Sequence, residues 1–490
     1  MATKKVTNAL IRMYRMGTGD CFAIKFRSGR TVLLKMLIDA GVVSGSKKHV
    51  QRYIENLHDW FDGEIDVFAV THEHNDHVSA IQKCEDLFCN HFKVRKIWLA
   101  WTEDNDDPMA QEWKDIMGKK KNALKFASDR LKKFIDDDFD SQHQNDFNLK
   151  KLKESTLSFS DSLDDFKQLH GATEVDSELK GMKILKEKIA NNNIEYFEPG
   201  QIHEIDNVEG LKFYFLGPPR DLKAIKKEHG KGHDEAYEHN KDLDPDDFLS
   251  FALKDDADME EDDLPFSDDY VDFEKTQESI YAMEELKWRR IDHDWLQSAG
   301  QLAMRLTTGI NNLSLVMAME FEDTGKVLLF PGDAEIGSWE SWHKIKWEDQ
   351  GLPKDYTTDL LNRTAFYKVA HHLSHNGTAK KDGMEKMTHE DLVAMATLSY
   401  NQISSRWKGT MPNRHILKEL IQRTQGRLIV TSMDDLFYDP TNTIPLRQKV
   451  DKARERFKKA NKFFFKDFKN GKDEHKPQDK VLYYENMIRD

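Results

Sequence analysis

Cysteine is scarce: only Cys21, Cys84 and Cys89 occur in 490 residues, and no two stand as C-x-x-C. That excludes a disulfide-built scaffold and a thiolate zinc finger. Long hydrophobic runs are missing as well. No window approaches the roughly 18–20 unbroken apolar residues of a membrane span, so no membrane association is expected. The opening segment, MATKKVTNALIRMYRMGTGD, has neither an apolar stretch nor a small-residue cleavage site, which speaks against a secretory signal. The expected setting is cytoplasmic and reducing. Positive charge is in deficit, 73 Lys and Arg against 87 Asp and Glu, for a net −14 with neutral histidines. That balance disfavours a nonspecific hold on nucleic-acid phosphates over the whole surface, without excluding a local basic groove.

What is present is a layered α/β pattern. ALIRMY and CFAIKF read as strands around the turn Gly17–Asp20, and TVLLKMLIDAG (31–41) as a buried strand delivering Asp39 at its end. Residues 49–61 carry Val50, Tyr53, Ile54, Leu57 and Phe61 at helical spacing. Apolar strands follow at IDVFAVTH (65–72), KVRKIWLAW (93–101), GLKFYFLGPPR (210–220), NNLSLVMAMEF (311–321), KVLLFPGDAE (326–335) and AFYKVAHH (365–372). Near the end, MPNRHILKELIQRT reads as a helix and GRLIVTS (426–432) as a strand. Two stretches interrupt the pattern: a charged, helix-rich insertion at about 103–200 and a strongly acidic one at about 221–305. Residues 441–490 form a charged, Lys/Phe-rich C-terminal extension.

The sharpest local signal is Thr71-His72-Glu73-His74-Asn75-Asp76-His77, with three histidines and a carboxylate directly after an apolar strand. Imidazole and carboxylate donors suit Zn2+, Mn2+ and Fe. The i, i+2 spacing sets His72 and His74 on one side of an extended segment; Asp76 and His77 fall at the following bend. Pro331-Gly332-Asp333 closes one strand and His371-His372 another. Each alone could be an ordinary strand end. Together with Asp39 they all fall at C-terminal ends of apolar strands, which in a layered α/β fold meet along one edge.

In this order the blocks resemble the metallo-β-lactamase fold superfamily, and within it the soluble hydrolase domain of the ComEC competence family. MGTGDCFAI resembles its Gly-x-Gly-Asp-Ala opening, MLIDAG its Leu-Ile-Asp-Ala-Gly, and THEHNDHVSA its THxHxDHxGG. NNLSLVM resembles NNxSLVL, LLFPGDAE resembles LLTGDAE, KVAHHLSHNGT resembles KxPHHGSxxS, and MPNRHILKEL resembles the His-Pro-x-x-x-Leu helix. The resemblance implies a four-layer αββα sandwich spanning 1–440, interrupted by the two insertions. It implies two ions, Zn2+ first, with Mn2+ or Fe as alternatives. His72 and His74 would hold one, Asp76 and His77 the other, and Asp333 would bridge both. One of His371 and His372 would complete the second site, with His371 preferred as the first after the strand. Asp39 would position the histidine loop. The sequence departs from the family at Leu373, where HHGS has Gly, and at Ser79-Ala80, where Gly-Gly is usual. A middle histidine is also lacking: FLGPPR stands where one is expected, and His203, His233, His239 and His293 are the possible substitutes.

The activity so implied is metal-dependent hydrolysis of a phosphodiester, in nucleic acid or a small nucleotide, by a metal-activated bridging hydroxide. Asp76 and Asp333 would be the catalytic carboxylates. His375, with Ser374, Asn376 and Thr378, would donate hydrogen bonds to the substrate; a solvated turn is the plain alternative for these four. Glu73 is expected to point away. For a long nucleic acid the Lys-rich segments at 114–133 or 452–472 would have to line the groove; for the Phe-interleaved tail, an amphipathic helix packed on the domain or on a partner is the alternative. Two other functions fit the same residues: hydrolysis of a lactone, thioester or amide, and a metal-binding interaction protein whose catalysis has decayed. In the last, the charged insertions or the C-terminal tail would be the partner surfaces.

Overall fold

The computed structural model describes residues 4–118, 179–227, 309–403, 411–431, 469–472 and 481–490, together with residues 408, 452 and 455. Most of both insertions and of the Lys/Phe-rich tail lie outside the described residues, as do His233, His239 and His293.

The chain opens with two antiparallel hairpin connections, β1 (Asn8–Tyr14), β2 (Phe22–Ser28) and β3 (Thr31–Ile38). Helix α1 (Lys47–Phe61) follows. Ser46 caps its first turn by accepting from His49 N–H, and Asp62 ends it in the left-handed conformation. Its buried stripe is Val50, Tyr53, Ile54, Leu57 and Phe61, as the spacing predicts. Strand β4 (Glu64–Ala69), helix α2 (Asn75–Lys83), strand β5 (Lys93–Ala100), helix α3 (Lys180–Ile184) and strand β6 (Ile194–Phe197) continue the alternation. Strands β3 to β6 run parallel.

The second half builds another sheet from β7 (Ile202–His203), β8 (Leu211–Gly217), β9 (Val316–Phe321), β10 (Val327–Phe330), β11 (Thr364–Lys368), β12 (Val393–Ala396) and β13 (Leu428–Val430). Helix α4 (Leu222–Ile225) follows β8, α5 (Ile336–Trp342) and α6 (Tyr356–Asn362) follow β10, and α7 (Arg414–Arg423) precedes β13. The order is β13-β12-β11-β10-β9-β8-β7, parallel from β13 to β10 and antiparallel from there on.

The chain is thus a mixed α/β protein with two mixed sheets. Period-two alternation decides which side chains meet. Met36 and Ile38 of β3 join Trp98, Phe213, Met317, Phe330 and Phe366 in a core that draws on both sheets. Leu37 turns the other way, into a cluster with α1, α2 and α3. On the second sheet, Tyr214, Leu329 and Tyr367 pack with Trp339, Leu360 and Leu417 of the helices. Helices therefore cover both outer faces, and the parallel strands deliver their C-terminal ends toward one edge.

The described residues near the C-terminus are strands of the first sheet. Strands β14 (Lys469–Lys472) and β15 (Val481–Arg489) lie in the first sheet, giving the order β14-β15-β1-β2-β3-β4-β5-β6. β15 pairs with β1 along its whole length. Its polar residues hide the strand in the sequence, but Glu485 is spent on a buried pair: both Arg12 Nε and Nη2 donate to its Oε2, at 3.1 and 2.8 Å. The guanidinium also stacks 3.5 Å over Tyr483 and 4.2 Å over Trp60. Removing one partner of a buried pair strands the other charge. Glu485→Ala is expected to lower the unfolding free energy by about 3–5 kcal/mol, whereas Arg12→Met with Glu485→Leu recovers most of it. Urea unfolding of the two variants checks this; equal losses would contradict it.

Candidate metal centre

Strand ends build the site. β3 delivers Asp39, β4 the Thr71–His77 turn, β10 Asp333, β11 His371 and His372, and β12 Thr397. Two glycines allow the approach. A Cβ on Gly41 would lie 2.2 Å from the backbone of Asp76 and His77, and Gly332 takes φ +58° with Ser314 and Thr71 pressed against it.

Asp39 works as the sequence suggests, as a buried positioning group. Its Oδ1 accepts from Thr71 N–H at 2.7 Å; its Oδ2 accepts from Thr71 Oγ1–H at 2.8 Å and lies 2.9 Å from His77 Nδ1. With Nδ1–H donating to Asp39, His77 presents the lone pair of Nε2. That atom has no hydrogen bond, and sits 3.2 Å from Asp333 Oδ2 and 3.8 Å from Asp76 Oδ2. His372 repeats the device. Thr397 Oγ1–H donates to Asp20 Oδ1, so the 2.9 Å contact with His372 Nδ1 must be a bond the imidazole donates. Its Nε2 then faces Asp76 Oδ2 at 3.0 Å and Asp333 Oδ2 at 3.1 Å. Asp76 Oδ1 is buried with no partner.

Asp76, His77, Asp333 and His372 hold their ligand atoms within 4.8 Å of one another, all buried. A second group, Asp20, Asp39 and His77, meets the same limit, but its carboxylates are already engaged by Thr71, Thr397 and Lys368. The first group is therefore the one fit for an ion. His72 and His74 stand beside it as a pair: His72 Nε2 lies 3.0 Å from His74 Nδ1, and the rings of His72 and His77 are 4.0 Å apart. His72 Nδ1 is tied to Thr71 Oγ1 at 3.1 Å and Ser314 Oγ at 3.3 Å, which leaves Nε2 as its outward atom.

Charge follows this layout. Burial pushes His72 and His74 well below the usual imidazole range, helped by their histidine neighbours. Burial acts the same way on His77 and His372, but there the carboxylates outweigh it. Asp333, Asp39 and Asp76 hold His77 well above the usual range, and His372 is pushed up to about 10 by Asp333, Asp76 and Asp20. For Asp333, burial is outweighed by His372, Lys368 and His77, which keep it ionised.

Of the adjacent histidines, it is His372 and not His371 that enters the four-residue group. His371, His372 and Leu373 are all left-handed, with φ of 44°, 48° and 68°. This turn sends neighbouring side chains apart. His371 lies with Nδ1 3.2 Å from Glu335 Oε1 and Nε2 3.3 Å from Asn311 Nδ2. Leu373 adopts a conformation natural to the Gly of the similar motif.

His375 is not among the residues of the group; its Nδ1 lies 3.5 Å from Ser374 Oγ on a partly buried turn. Thr378 is committed to the Tyr367 hydroxyl at 2.8 Å and Asn376 to His371 and Ser374. His203 does not supply the missing middle histidine, since it packs against Trp98 and Phe197. At the end of β8, Pro218 O instead accepts from Trp101 Nε1 at 3.0 Å. Glu73 points away, accepting from Leu179 N–H. Residues not singled out in the sequence also converge: Asp20, Ser314, Lys368 and Thr397, with Asn311 and Glu335 beside them.

No protein-family model matches the chain, and no curated protein matches it significantly.

The raised pKa values fix a pH dependence for chelator-treated protein. A His whose folded value lies above about 6.5 stabilises the fold fully below that pH and loses the contribution as pH rises through the folded value. Metal-free protein is therefore expected to lose thermal stability from about pH 6.5 toward pH 10, the value for His372, and to lose less of it over that window in His372→Gln, where His77 still titrates above the usual range. A wild-type melting temperature that rises across it would contradict the assignment.

Proposed function

We propose that this protein is a metal-dependent hydrolase of the metallo-β-lactamase fold, acting on phosphodiesters. Support for the fold comes from two sheets sharing a core, helices on both outer faces, and a site at the strand ends between them, the αββα arrangement the sequence blocks resemble. The observation that carries the function is the four-residue group Asp76, His77, Asp333 and His372.

The residues fit a divalent ion. Imidazole Nε2 atoms and carboxylate oxygens face one another at 3.0–3.8 Å, a buried arrangement that needs a proton or a cation between them. Asp20, Asp39, Asp76 and Asp333 are all buried beside the Lys368 ammonium, and without an ion the further positive charge is the proton that His77 and His372 each hold, which a divalent cation would displace. Oxygen and imidazole donors without thiolates suit Zn2+, Mn2+ or Fe. Asp76, His77, Asp333 and His372 would hold one ion; His72 and His74, with Asp333 shared, would hold the second. Such ions supply Lewis acidity and bring the pKa of water to about 7.

The chain's own groups do the rest. Asp39 and Thr397 keep His77 and His372 in the tautomer that offers Nε2. Asp76 Oδ1, left without an internal partner, would accept the hydrogen bond that orients the attacking water. His371, braced by Glu335 and Asn311, retains 14% side-chain exposure and would face the substrate. Phosphodiesters rank first because the sequence blocks are similar to a hydrolase domain of that activity.

The second reading, a metal-binding protein with decayed catalysis, draws on the sequence FLGPPR standing where the similar family has its middle histidine. One experiment separates them: metal content by plasma mass spectrometry with hydrolysis of bis-p-nitrophenyl phosphate. The proposal expects bound transition metal and turnover that falls more than about a hundredfold in His74→Ala, beyond the loss typical of an outer partner. Metal without turnover on this ester, and turnover of lactones or thioesters instead, would favour a non-phosphate hydrolase. Metal with no turnover of any would favour the decayed protein.

A further inference from the structure

Lys368 closes the buried strand β11 and is 1% exposed, yet its ammonium is fully used. Nζ donates to Gly332 O at 2.7 Å, to Asp333 Oδ1 at 3.0 Å and to Asp20 Oδ2, which exhausts its three hydrogens. Asp20 is fixed in turn. Its N–H donates to Asp76 O, its carbonyl accepts from Gly41 N–H, and its Oδ1 accepts from Thr397. A closed circuit results: His372 Nδ1 to Thr397, Thr397 to Asp20, Asp20 to Lys368, Lys368 to Asp333 Oδ1, and Asp333 Oδ2 back to His372 Nε2.

The two oxygens of Asp333 therefore face different environments. Oδ1 is covered by an ammonium, while Oδ2 faces the histidines at 3.1 and 3.2 Å. We propose that Lys368, anchored by Asp20, is a positioning residue that restricts Asp333 to one-oxygen ligation, so that this carboxylate meets any bound ion through Oδ2 alone. The inference rests on the metal-binding reading above and adds to it the denticity of the shared ligand. A carboxylate free at both oxygens can ligate in a bidentate manner; a covered Oδ1 prevents this.

A merely structural Lys368 would affect folding but not coordination, so the test reads coordination. The double variant Lys368→Met/Asp20→Asn removes one positive and one negative charge, which leaves the net charge of the site unchanged while uncovering Asp333 Oδ1. Loaded with Co2+, it is expected to show weaker visible ligand-field absorption than the wild type, because a second Asp333 oxygen raises the coordination number. Zn2+-loaded samples are expected to show an added oxygen by X-ray absorption. Asp20→Asn alone keeps Lys368 on Oδ1 and should retain the wild-type spectrum. A double variant that folds, loads metal and keeps the wild-type spectrum would overturn the inference and leave the hydrolase reading standing. Wild type that takes up neither Co2+ nor Zn2+ would overturn both. Should the double variant not fold, a crystal structure of the Zn2+-loaded wild type decides: Asp333 Oδ2 alone within about 2.0–2.2 Å of an ion supports the inference, and Oδ1 at that distance refutes it.

Discussion

Four aspartates are buried at one edge of the sheets, and most of the local structure answers to them. An isolated ionised carboxylate in a protein interior is very costly unless paired or hydrogen-bonded. Asp39 is compensated by Thr71 and His77, Asp20 by Lys368 and Thr397. Asp76 and Asp333 are only half compensated, each sending one oxygen toward imidazole Nε2 atoms. Imidazole facing carboxylate at these distances needs a proton or a cation between them, and the carboxylates hold that proton on His77 and His372 well above the usual imidazole range.

Backbone strain is concentrated at the same place. Asp39, His371, His372 and Leu373 are all left-handed without being glycine, at roughly 1–2 kcal/mol each. The turn after β11 is held by Ser374 N–H to His371 O at 2.7 Å and Asn413 N–H to Leu373 O at 2.8 Å, the latter tying it to the capping residue of α7. What the strain achieves is divergence: two consecutive histidines serve two different clusters, one with Asp76 and Asp333, the other with Glu335 and Asn311. Strain of this kind persists where the surroundings over-determine it, commonly at functional sites.

Much of this was legible in the sequence because strand ends are. Apolar runs that stop at Asp39, at His72, at Asp333 and at the histidine pair predict that these residues meet, and they do. The choice between His371 and His372 was not legible, since spacing along a strand says nothing about a left-handed turn that follows it. Asp20 looked like an ordinary turn residue in Gly-Thr-Gly-Asp, and Lys368 like the outward-facing member of an alternating strand. The available signal was a charged residue flanked on both sides by Phe366, Tyr367, Val369 and Ala370, in a sheet covered on both faces. Strand β15 was obscured by Glu485 and Asn486, whose burial depends on partners some 470 positions away. His203 could be set aside only once Trp98 and Phe197 were seen around it.

The tautomers make the strongest argument for purpose. A buried histidine that serves packing alone needs one satisfied nitrogen and has no preferred direction for the other. Here His77 and His372 are each tied at Nδ1, through different residues from different strands, and each offers Nε2 to the same two carboxylates. His72 is tied at Nδ1 as well, and its Nε2 meets His74 Nδ1 at 3.0 Å beside them. Three imidazoles fixed from behind by Asp39, Thr397 and Thr71 form an outer framework of the kind that orients metal ligands. Its buried carboxylates call for positive charge in front of them, which His77 and His372 supply as protons.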